Sequence, residues 1–170
     1  IFRMENARRT AIAEELGLEL YHWAINSKST LEEGLYSYDA ISRLQDTQLN
    51  KIENNGIKTD IKKYLKLGPL GKAFSSNKKS VLLIDELDKS DTDLPNSLLH
   101  IFEEGYFEIA ELKRLKNKTS VAVETCDNQT IEITNGKVSC THFPIVIMTS
   151  NGERDFSPAF KRRCLHLELH

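Results

Sequence analysis

Two adjacent carboxylates, Asp85 and Glu86, directly follow the apolar run VLLI at positions 81–84. Apolar residues without an intervening charge predict a strand that is buried on both faces, as in a parallel sheet. At the carboxyl end of such a strand, one carboxylate can hold Mg²⁺, directly or through water, while the other polarises the water that attacks a γ-phosphate. The pattern is therefore compatible with phosphoryl transfer, although an acidic pair that only caps the next helix would look the same.

A polar amide follows a second apolar strand, because Asn151 ends the segment FPIVIMTSN at positions 143–151. Ligands of open α/β sheets bind outside the carboxyl ends of the strands, so this amide could orient the attacking water or contact the γ-phosphate. Arg162 and Arg163 follow on a predicted short helix. A guanidinium in that position could reach a phosphate bound by a neighbouring subunit.

The composition is that of an ordinary globular protein, with 170 residues of which 39% are hydrophobic and 28% charged. This length predicts one domain with a sizeable core. The net charge of −2 provides no basic field toward nucleic acid or membrane surfaces, and no apolar run approaches the roughly 18 residues of a membrane span. The three cysteines form no CxxC pair, which favours a reducing cytoplasm.

The hydrophobic pattern predicts helices and strands in alternation, which indicates an α/β fold with a mostly parallel sheet. The segment at positions 26–50 shows no clear period and is expected to form a loop or a short hairpin. Alternating residues on both sides of Cys126-Asp127-Asn128 predict a hairpin, and Asn135-Gly136 predicts another turn. The other predicted elements are helices over 7–16, at both ends of 57–74 with a break at Gly68-Pro69, from an N-cap at Asp91 or Thr92 to Gly105, and over 158–163, and strands over 18–25, 81–84, 145–148 and 164–169.

Three segments in this order resemble the AAA+ ATPases, and most closely their MoxR-like branch: AIAEELGLEL, VLLIDELDKSDTDLPNSLLHIFEEGYFEI and FPIVIMTSNGERDFSPAFKRRCLHLEL. Together they comprise 66 of the 170 residues. The resemblance implies a P-loop NTPase-type three-layer sandwich over residues 1–170, which would be the α/β core without the helical lid. It also implies two insertions, one at positions 26–56 in the region of helix 2 and one at positions 119–141 as a β-hairpin before sensor 1.

The resemblance also implies roles for the polar residues at the strand ends. Asp85 would be the Walker B residue associated with magnesium, Glu86 the catalytic base, and Asn151 sensor 1. Arg163 would be the arginine finger that acts on a neighbouring subunit, because Arg-Cys is similar to the Ser-Arg-Cys of clamp loaders. Arg162 is the second candidate for that role.

The implied function is hydrolysis of ATP with Mg²⁺ in a cytoplasmic, usually hexameric, ring that remodels a protein partner. MoxR-like proteins often work with partners that carry a von Willebrand A-type domain, whereas a membrane is not expected and nucleic acid is an improbable partner. Two alternatives stay open. One is a hydrolysis-deficient scaffold or regulatory subunit, and the other is an AAA+ ATPase that acts on nucleic acid.

A phosphate-binding loop of the form GxxxxGK[ST] is missing from the sequence. The segment GPLGKA at positions 68–73 has only two residues between its glycines and no hydroxyl after Lys72, so it predicts a turn instead. By the resemblance, the lysine and hydroxyl of the loop would fall near Glu5 and Asn6, and a glutamate there would repel a triphosphate. We therefore expect the loop, and likewise the helical lid with sensor 2, to lie outside this sequence.

Two weaker candidates accompany these residues. Cys140 and His142 could share one strand face as half of a metal site, but no second pair at metal spacing follows, which favours a buried thiol beside a surface histidine. Arg154 and Asp155 could pair with each other or reach across a subunit boundary.

Overall fold

The computed structural model describes residues 13–52, 60–115 and 120–167. No helix within these ranges is long and apolar enough to cross a membrane. Residues 13–16 are helical, and short 3₁₀ helices span Ile61–Tyr64 and Leu87–Lys89. The helices are α1 (Leu31–Leu35), α2 (Ala40–Ile52), α3 (Pro69–Ser75), α4 (Leu94–Glu104), α5 (Ala110–Lys113) and α6 (Pro158–Lys161). The strands are β1 (Glu19–Ala24), β2 (Tyr36–Tyr38), β3 (Leu65–Leu67), β4 (Ser80–Asp85), β5 (Tyr106–Glu108), β6 (Ser120–Thr125), β7 (Thr130–Thr134), β8 (Lys137–Ser139) and β9 (Ile145–Met148).

A parallel three-stranded sheet in the order β1-β4-β9 positions the polar strand ends. β4 lies in the middle and is buried along its whole length, as its apolar sequence predicted. Leu82 and Ile84 face the larger apolar core, to which α3 and α4 contribute, whereas Val81 and Leu83 face the other side and pack with Ala13. The sheet therefore has helices on both faces, which confirms the predicted three-layer α/β arrangement.

Two smaller sheets adjoin the parallel one. The first has the order β2-β3-β6-β7 and is mixed, because β3 runs antiparallel to β2 and parallel to β6. Its strands β6 and β7 form the predicted hairpin, with Asn128 in the left-handed region at φ 59°. The predicted turn at Asn135-Gly136 also forms, and the strand that follows it, β8, pairs with β5 instead of β7.

The segment expected to be a loop or short hairpin, positions 26–50, is mostly helical. Thr30 and Glu33 form a capping box at the start of α1, in which each side chain accepts a hydrogen bond from the other residue's backbone N–H. Asp39 accepts a hydrogen bond from the N–H of Ser42 (2.9 Å) and so caps α2. The prediction was wrong because it depended on a buried apolar period, whereas α2 buries none of its side chains and capping residues mark where the helices begin.

The predicted turn over GPLGKA, positions 68–73, is instead the start of α3. Gly68 is its N-cap and Pro69 its first residue, a position at which the missing N–H of proline has no helical partner to lose. A Cβ atom at Gly71 would collide with the carbonyl oxygen of Leu35, so this glycine allows α3 to pack against the end of α1. The predicted helix before the break is limited to the 3₁₀ turn and is followed by β3, while residues 57–59 lie outside the described ranges.

The end of the chain also differs from the prediction. A final strand was expected over positions 164–169, but residues 164–167 form none, and residues 168 and 169 lie outside the described ranges. Residues 7–12 of the predicted first helix also lie outside the described ranges, whereas its residues 13–16 are described and helical. The predicted end of α4 at Gly105 is confirmed, with φ 68°. Its N-cap is Asp93 and not Asp91 or Thr92, although Asp91 accepts hydrogen bonds from the N–H groups of Asp93 and Leu94.

Candidate functional site

Thr149, which directly follows β9, links the carboxyl ends of β4 and β9. Its hydroxyl accepts a hydrogen bond from the backbone N–H of Glu86 (2.9 Å) and donates one to a carboxylate oxygen of Asp85. Its own N–H donates to the carbonyl oxygen of Ile84 (2.9 Å), and its carbonyl oxygen accepts from the N–H of Leu87 (2.9 Å). Because Thr149 and Asp85 are both buried, these bonds fix the carboxylate in one orientation.

Glu86 has a left-handed backbone, with φ 59° and ψ 44°. This conformation costs a non-glycine residue about 1–2 kcal/mol. The Oε1 atom of Glu86 lies 3.4 Å from Nδ2 of Asn151, and its Oε2 atom lies 2.7 Å from Nζ of Lys89. The hydrogen bond from Lys89 to this carboxylate raises the pKa of the lysine. The strained backbone thus accompanies a partly exposed carboxylate that lies beside the amide of Asn151.

Asp88 holds the loop that carries Asn151. This carboxylate is buried, and its Oδ2 atom accepts hydrogen bonds from the backbone N–H groups of Asn151 and Glu153, both at 3.0 Å. Two N–H donors on one oxygen restrict the backbone on both sides of Gly152. The position of the Asn151 side chain is therefore set from the 3₁₀ helix that follows β4.

The strand ends carry oxygen ligands of the kind that Mg²⁺ prefers, the carboxylates of Asp85 and Glu86. His22, on the neighbouring strand β1, places Nε2 3.6 Å from Oδ2 of Asp85. Within the described residues no group of three or more His, Cys, Asp or Glu side chains could hold a metal, and this includes the surroundings of Cys140 and His142. Mg²⁺ at nucleotide sites takes one or two protein carboxylates together with water and substrate phosphates, so the residues present fit that ion.

The two predicted arginines lie on a different part of the surface. Nε of Arg163 forms an ion pair with Oε1 of Glu103 at the end of α4 (2.7 Å), and its Nη1 donates to the carbonyl oxygen of Ala159. Nε of Arg162 donates to the carbonyl oxygen of Pro158 (3.3 Å). The hydrogen-bond and ion-pair partners of both exposed guanidinium groups thus belong to α4 and α6, and none of these partners is a strand-end residue.

Arg154 and Asp155 do not pair with each other, which was one of the two possibilities for them. The guanidinium of Arg154 donates to the backbone carbonyl oxygens of Ser90 and Asp91. The carboxylate of Asp155 pairs with Lys161 instead. Arg154 therefore ties the loop after β9 to the segment that leads into α4.

Lys72 of the GPLGKA segment is buried and bound within the chain. Its Nζ donates to Oε1 of Gln129 (2.8 Å) and lies 3.7 Å from Oδ2 of Asp127, both in the turn between β6 and β7. A buried ammonium with these partners stabilises the hairpin and is not available to a phosphate. The structure thus agrees with the interpretation that GPLGKA is not a phosphate loop.

Sequence reasoning missed three residues that organise the strand ends: Thr149, Asp88 and Lys89. The first carries the clearest overlooked signal, since a hydroxyl directly after an apolar strand can bond to the neighbouring strand end in a parallel sheet. The other two follow the acidic pair in DELDK, where Lys89 can fold back onto the carboxylate of Glu86 three residues before it. The bonds of Asp88 to the loop after β9 have no comparable local signal.

Comparison with known proteins agrees with this geometry. The model of the AAA domain (Cdc48 subfamily) matches residues 19–162, which covers most of the chain and includes all the strand-end residues described above. The chain therefore belongs to the AAA domain family, whose members are ATPases in general and bind nucleotide, usually with Mg²⁺. The fold is accordingly the α/β core of a P-loop NTPase.

A curated relative is the chloroplastic chaperone protein ClpD2 of Oryza sativa subsp. japonica. It is 35% identical over 72 residues, which make up 42% of this chain. The match spans only 8% of the rice protein's length. The similarity thus concerns one segment of a much longer chaperone.

Proposed function

We propose that this chain supplies the residues that hydrolyse ATP in an ATP-driven motor or chaperone, and that Asp85, Glu86 and Asn151 act on the bound ATP. The observation that supports it most directly is the link made by Thr149, which holds the ends of β4 and β9 together. Because of that link, two carboxylates and an amide lie at one edge of a parallel sheet, the edge at which α/β proteins bind ligands.

In this proposal Glu86 is the general base. Its carboxylate is partly exposed and lies within 3.4 Å of the Asn151 amide, so one water molecule could contact both groups. Asn151 would orient that water or contact the γ-phosphate, and Lys89 would leave the carboxylate free to accept a proton by moving away on its flexible side chain.

Asp85 would help to hold Mg²⁺, which in such sites neutralises charge that develops on the phosphate oxygens. Its carboxylate suits this role because the hydroxyl of Thr149 fixes one of its oxygens from within the protein. Thr149 is then a positioning residue for both carboxylates, since it also binds the backbone N–H of Glu86.

Arg163, with Arg162 as the second candidate, would act on the ATP of a neighbouring subunit. Support comes from its position: it is exposed and pairs with Glu103, on a surface formed by α4 and α6. An arginine that stabilises the transition state in a neighbouring subunit requires a closed assembly, and we propose a homo-oligomeric ring of six subunits.

The finer assignments extend the same proposal. We place the chain in the MoxR-like branch on the strength of its sequence segments, with a protein partner that can carry a von Willebrand A-type domain and with a cytoplasmic location. The match to a chaperone supports remodelling of proteins as the general task. We propose the region 26–56 as the helix-2 insertion of this branch and the region 119–141 as the pre-sensor-1 hairpin of the wider group.

The proposal is tested by ATP turnover of the full-length protein and its Glu86→Gln variant. We expect the variant to lose at least about 100-fold in turnover while it still binds nucleotide, since only the base is removed. Glu104→Gln is the matched control, because it makes the same change at an exposed carboxylate of α4 and should leave turnover unchanged. Equal rates in all three proteins would refute the catalytic role and favour the scaffold alternative.

The role of the arginine is tested by mixing two inactive variants, Glu86→Gln and Arg163→Ala. Each carries one intact half of the proposed composite site. Random assembly into rings should restore turnover at roughly a quarter of the subunit boundaries. If the mixture stays as inactive as its components, the arginine does not act on a neighbour's site.

A further inference from the structure

The helix α2 exposes its apolar side chains instead of burying them. Ile41 and Ile52 are 73% and 79% exposed, and Leu44 and Leu49 are 59% and 55% exposed. At 100° per residue these four positions fall on one side of the helix, together with Gln45 and Gln48 between them. We call these six residues the apolar stripe.

The opposite side of α2 faces the protein and is polar. Nη1 of Arg43 donates a hydrogen bond to the hydroxyl of Tyr38 (2.7 Å), and the hydroxyl of Tyr64 donates to Oδ2 of Asp46 (2.6 Å). The usual orientation of an amphipathic helix is thus reversed. Because directed hydrogen bonds hold the polar side, the apolar stripe cannot turn inward without breaking them.

The apolar stripe reads the same in both directions. Its pattern, I-x-x-L-Q-x-x-Q-L-x-x-I, runs from Ile41 to Ile52 and is symmetric about the midpoint between Asp46 and Thr47. An isologous contact between two copies requires a surface that complements itself under a two-fold rotation. Two such helices that lie antiparallel would satisfy this condition along their whole length.

We propose that the apolar stripe binds the same stripe of a second copy of this chain, with the two α2 helices antiparallel about a two-fold axis. Ile41 of one copy would then contact Ile52 of the other, and Leu44 would contact Leu49. At the centre, Gln45 would face Gln48 of the other copy. Side-chain amides carry both donors and acceptors, so these glutamines can bond to each other, and polar pairs at the centre of a helix seam fix its register.

The contact is expected to be weak when two molecules meet in isolation. α2 has 13 residues and is about 20 Å long, which is too short for the roughly 800 Å² per partner of a standard interface. A dissociation constant between about 10 μM and 1 mM corresponds to such an area. The proposal does not depend on ATP hydrolysis, and the contact should form without nucleotide.

The test compares two double variants of the full-length protein, I41K/I52E and I41K/I52K, by sedimentation velocity over a concentration series up to about 1 mM. Antiparallel pairing places position 41 against position 52, so Lys and Glu would form two ion pairs across the axis in the first variant. In the second, lysines would face lysines. We expect I41K/I52E to associate at least about 10-fold more tightly than I41K/I52K, with equal thermal unfolding midpoints because both positions are exposed.

Cysteine cross-linking checks the direction of the helices, in a Cys126→Ser background that removes an exposed native thiol. A mixture of Ile41→Cys and Ile52→Cys chains should form a disulfide between the two positions, identified by mass spectrometry, whereas either variant alone should not. A disulfide within Ile41→Cys alone would show parallel helices and overturn the proposal. The proposal would also be overturned if the wild-type protein showed no self-association through α2 at any concentration. This includes the case in which a different protein covers the apolar stripe.

Discussion

The strand ends and the helix α2 place polar and apolar groups in opposite ways. At the ends of β4 and β9 the apolar side chains are buried, and the polar residues Asp85, Glu86 and Asn151 form hydrogen bonds with the side chains of Thr149 and Asp88. In α2 the polar side chains face the protein and the apolar stripe faces outward. The first region is therefore organised by hydrogen bonds among the described residues, whereas the second presents an apolar surface that the described residues leave uncovered.

The difference shows how the two regions depend on the rest of the fold. The strand-end groups are coupled to the parallel sheet, so a defect in one hydrogen bond should affect both stability and the geometry of the site. The side chains of the apolar stripe contribute little to folding, since they stay in water in the isolated chain. Paired substitutions in the two regions should separate these behaviours.

The largest effect on stability is expected from truncation of a buried leucine compared with an exposed one. Leu98 of α4 is fully buried in the main core, whereas Leu44 of α2 is mostly exposed. We expect Leu98→Ala to lower the free energy of unfolding by about 2–5 kcal/mol, because it removes apolar contacts and leaves a cavity. Leu44→Ala should change it by less than about 0.5 kcal/mol.

Denaturant unfolding of both variants measures this contrast. The comparison requires the monomer, so it is made at a protein concentration well below that of the proposed self-association. A similar loss in the two variants would show that Leu44 is covered in the folded chain, and the reversed orientation of α2 would be wrong.

The second effect concerns the hydroxyl that links β4 to β9. Thr149→Val keeps the shape of the side chain but leaves the N–H of Glu86 and the carboxylate of Asp85 without this partner. We expect a loss of about 1–3 kcal/mol in unfolding free energy, together with lower ATP turnover. Thr134→Val on β7 is the control, because that threonine is exposed. If Thr149→Val hydrolysed ATP at the wild-type rate, the hydrogen bonds of the Thr149 hydroxyl would not be needed for catalysis.

Much of the strand-end region was predictable from sequence because its signals are local and its context is regular. VLLI followed by DE, and FPIVIM followed by TSN, each mark a buried parallel strand with polar residues at its end. Parallel strands end at one edge of a sheet, so the proximity of the two groups followed from the class of fold. The hydrogen bond between Glu86 and Thr149 could not be predicted from the class of fold, since it depends on the register of β4 against β9.

The helix α2 was missed, because only four large apolar residues are spread over its 13 positions and the turns around it are polar. Its sequence was interpreted as a loop or a short hairpin, and the capping residue Asp39 was the signal that could have found it. The prediction of a strand at the end of the chain was wrong for another reason. Residues 164–167 alternate in hydrophobicity, but Leu165 is 97% exposed, so the alternation does not mark a buried face there.

A smaller effect should reveal the backbone strain at the site. Glu86→Gly and Glu86→Ala both remove the carboxylate, but only glycine adopts φ 59° without steric cost. We expect the glycine variant to be more stable than the alanine variant by about 1 kcal/mol, with both inactive in ATP hydrolysis. No residue of α2 has a positive φ, whereas Glu86 shares this conformation with Asn128 and Asn135 in the turns of the smaller sheets. Equal stability of the two variants would mean that the left-handed conformation is not retained.

The smallest effect is a pH dependence at the start of α2. Hydrogen bonds from the hydroxyl of Ser42 (2.6 Å) and from its N–H (2.9 Å) hold the pKa of the Asp39 carboxyl below its ordinary value of 3.8. A carboxyl whose pKa is lower in the folded than in the unfolded state stabilises the fold above the unfolded pKa, and this contribution is lost as the pH falls through the folded pKa. The cap should therefore weaken only below about pH 4.

NMR titration of the Asp39 carboxyl carbon measures this pKa directly. Ser42→Ala removes the hydroxyl that lowers it most and should move it toward 3.8, while the N–H bond to the carboxylate persists. Asp39→Asn keeps a capping oxygen but cannot titrate, so its stability should lack the loss at low pH. A wild-type pKa at or above 3.8 would show that the cap is not formed in solution. Because α2 has no buried side chains, the orientation of the apolar stripe would then depend on the hydrogen bonds of Arg43 and Asp46.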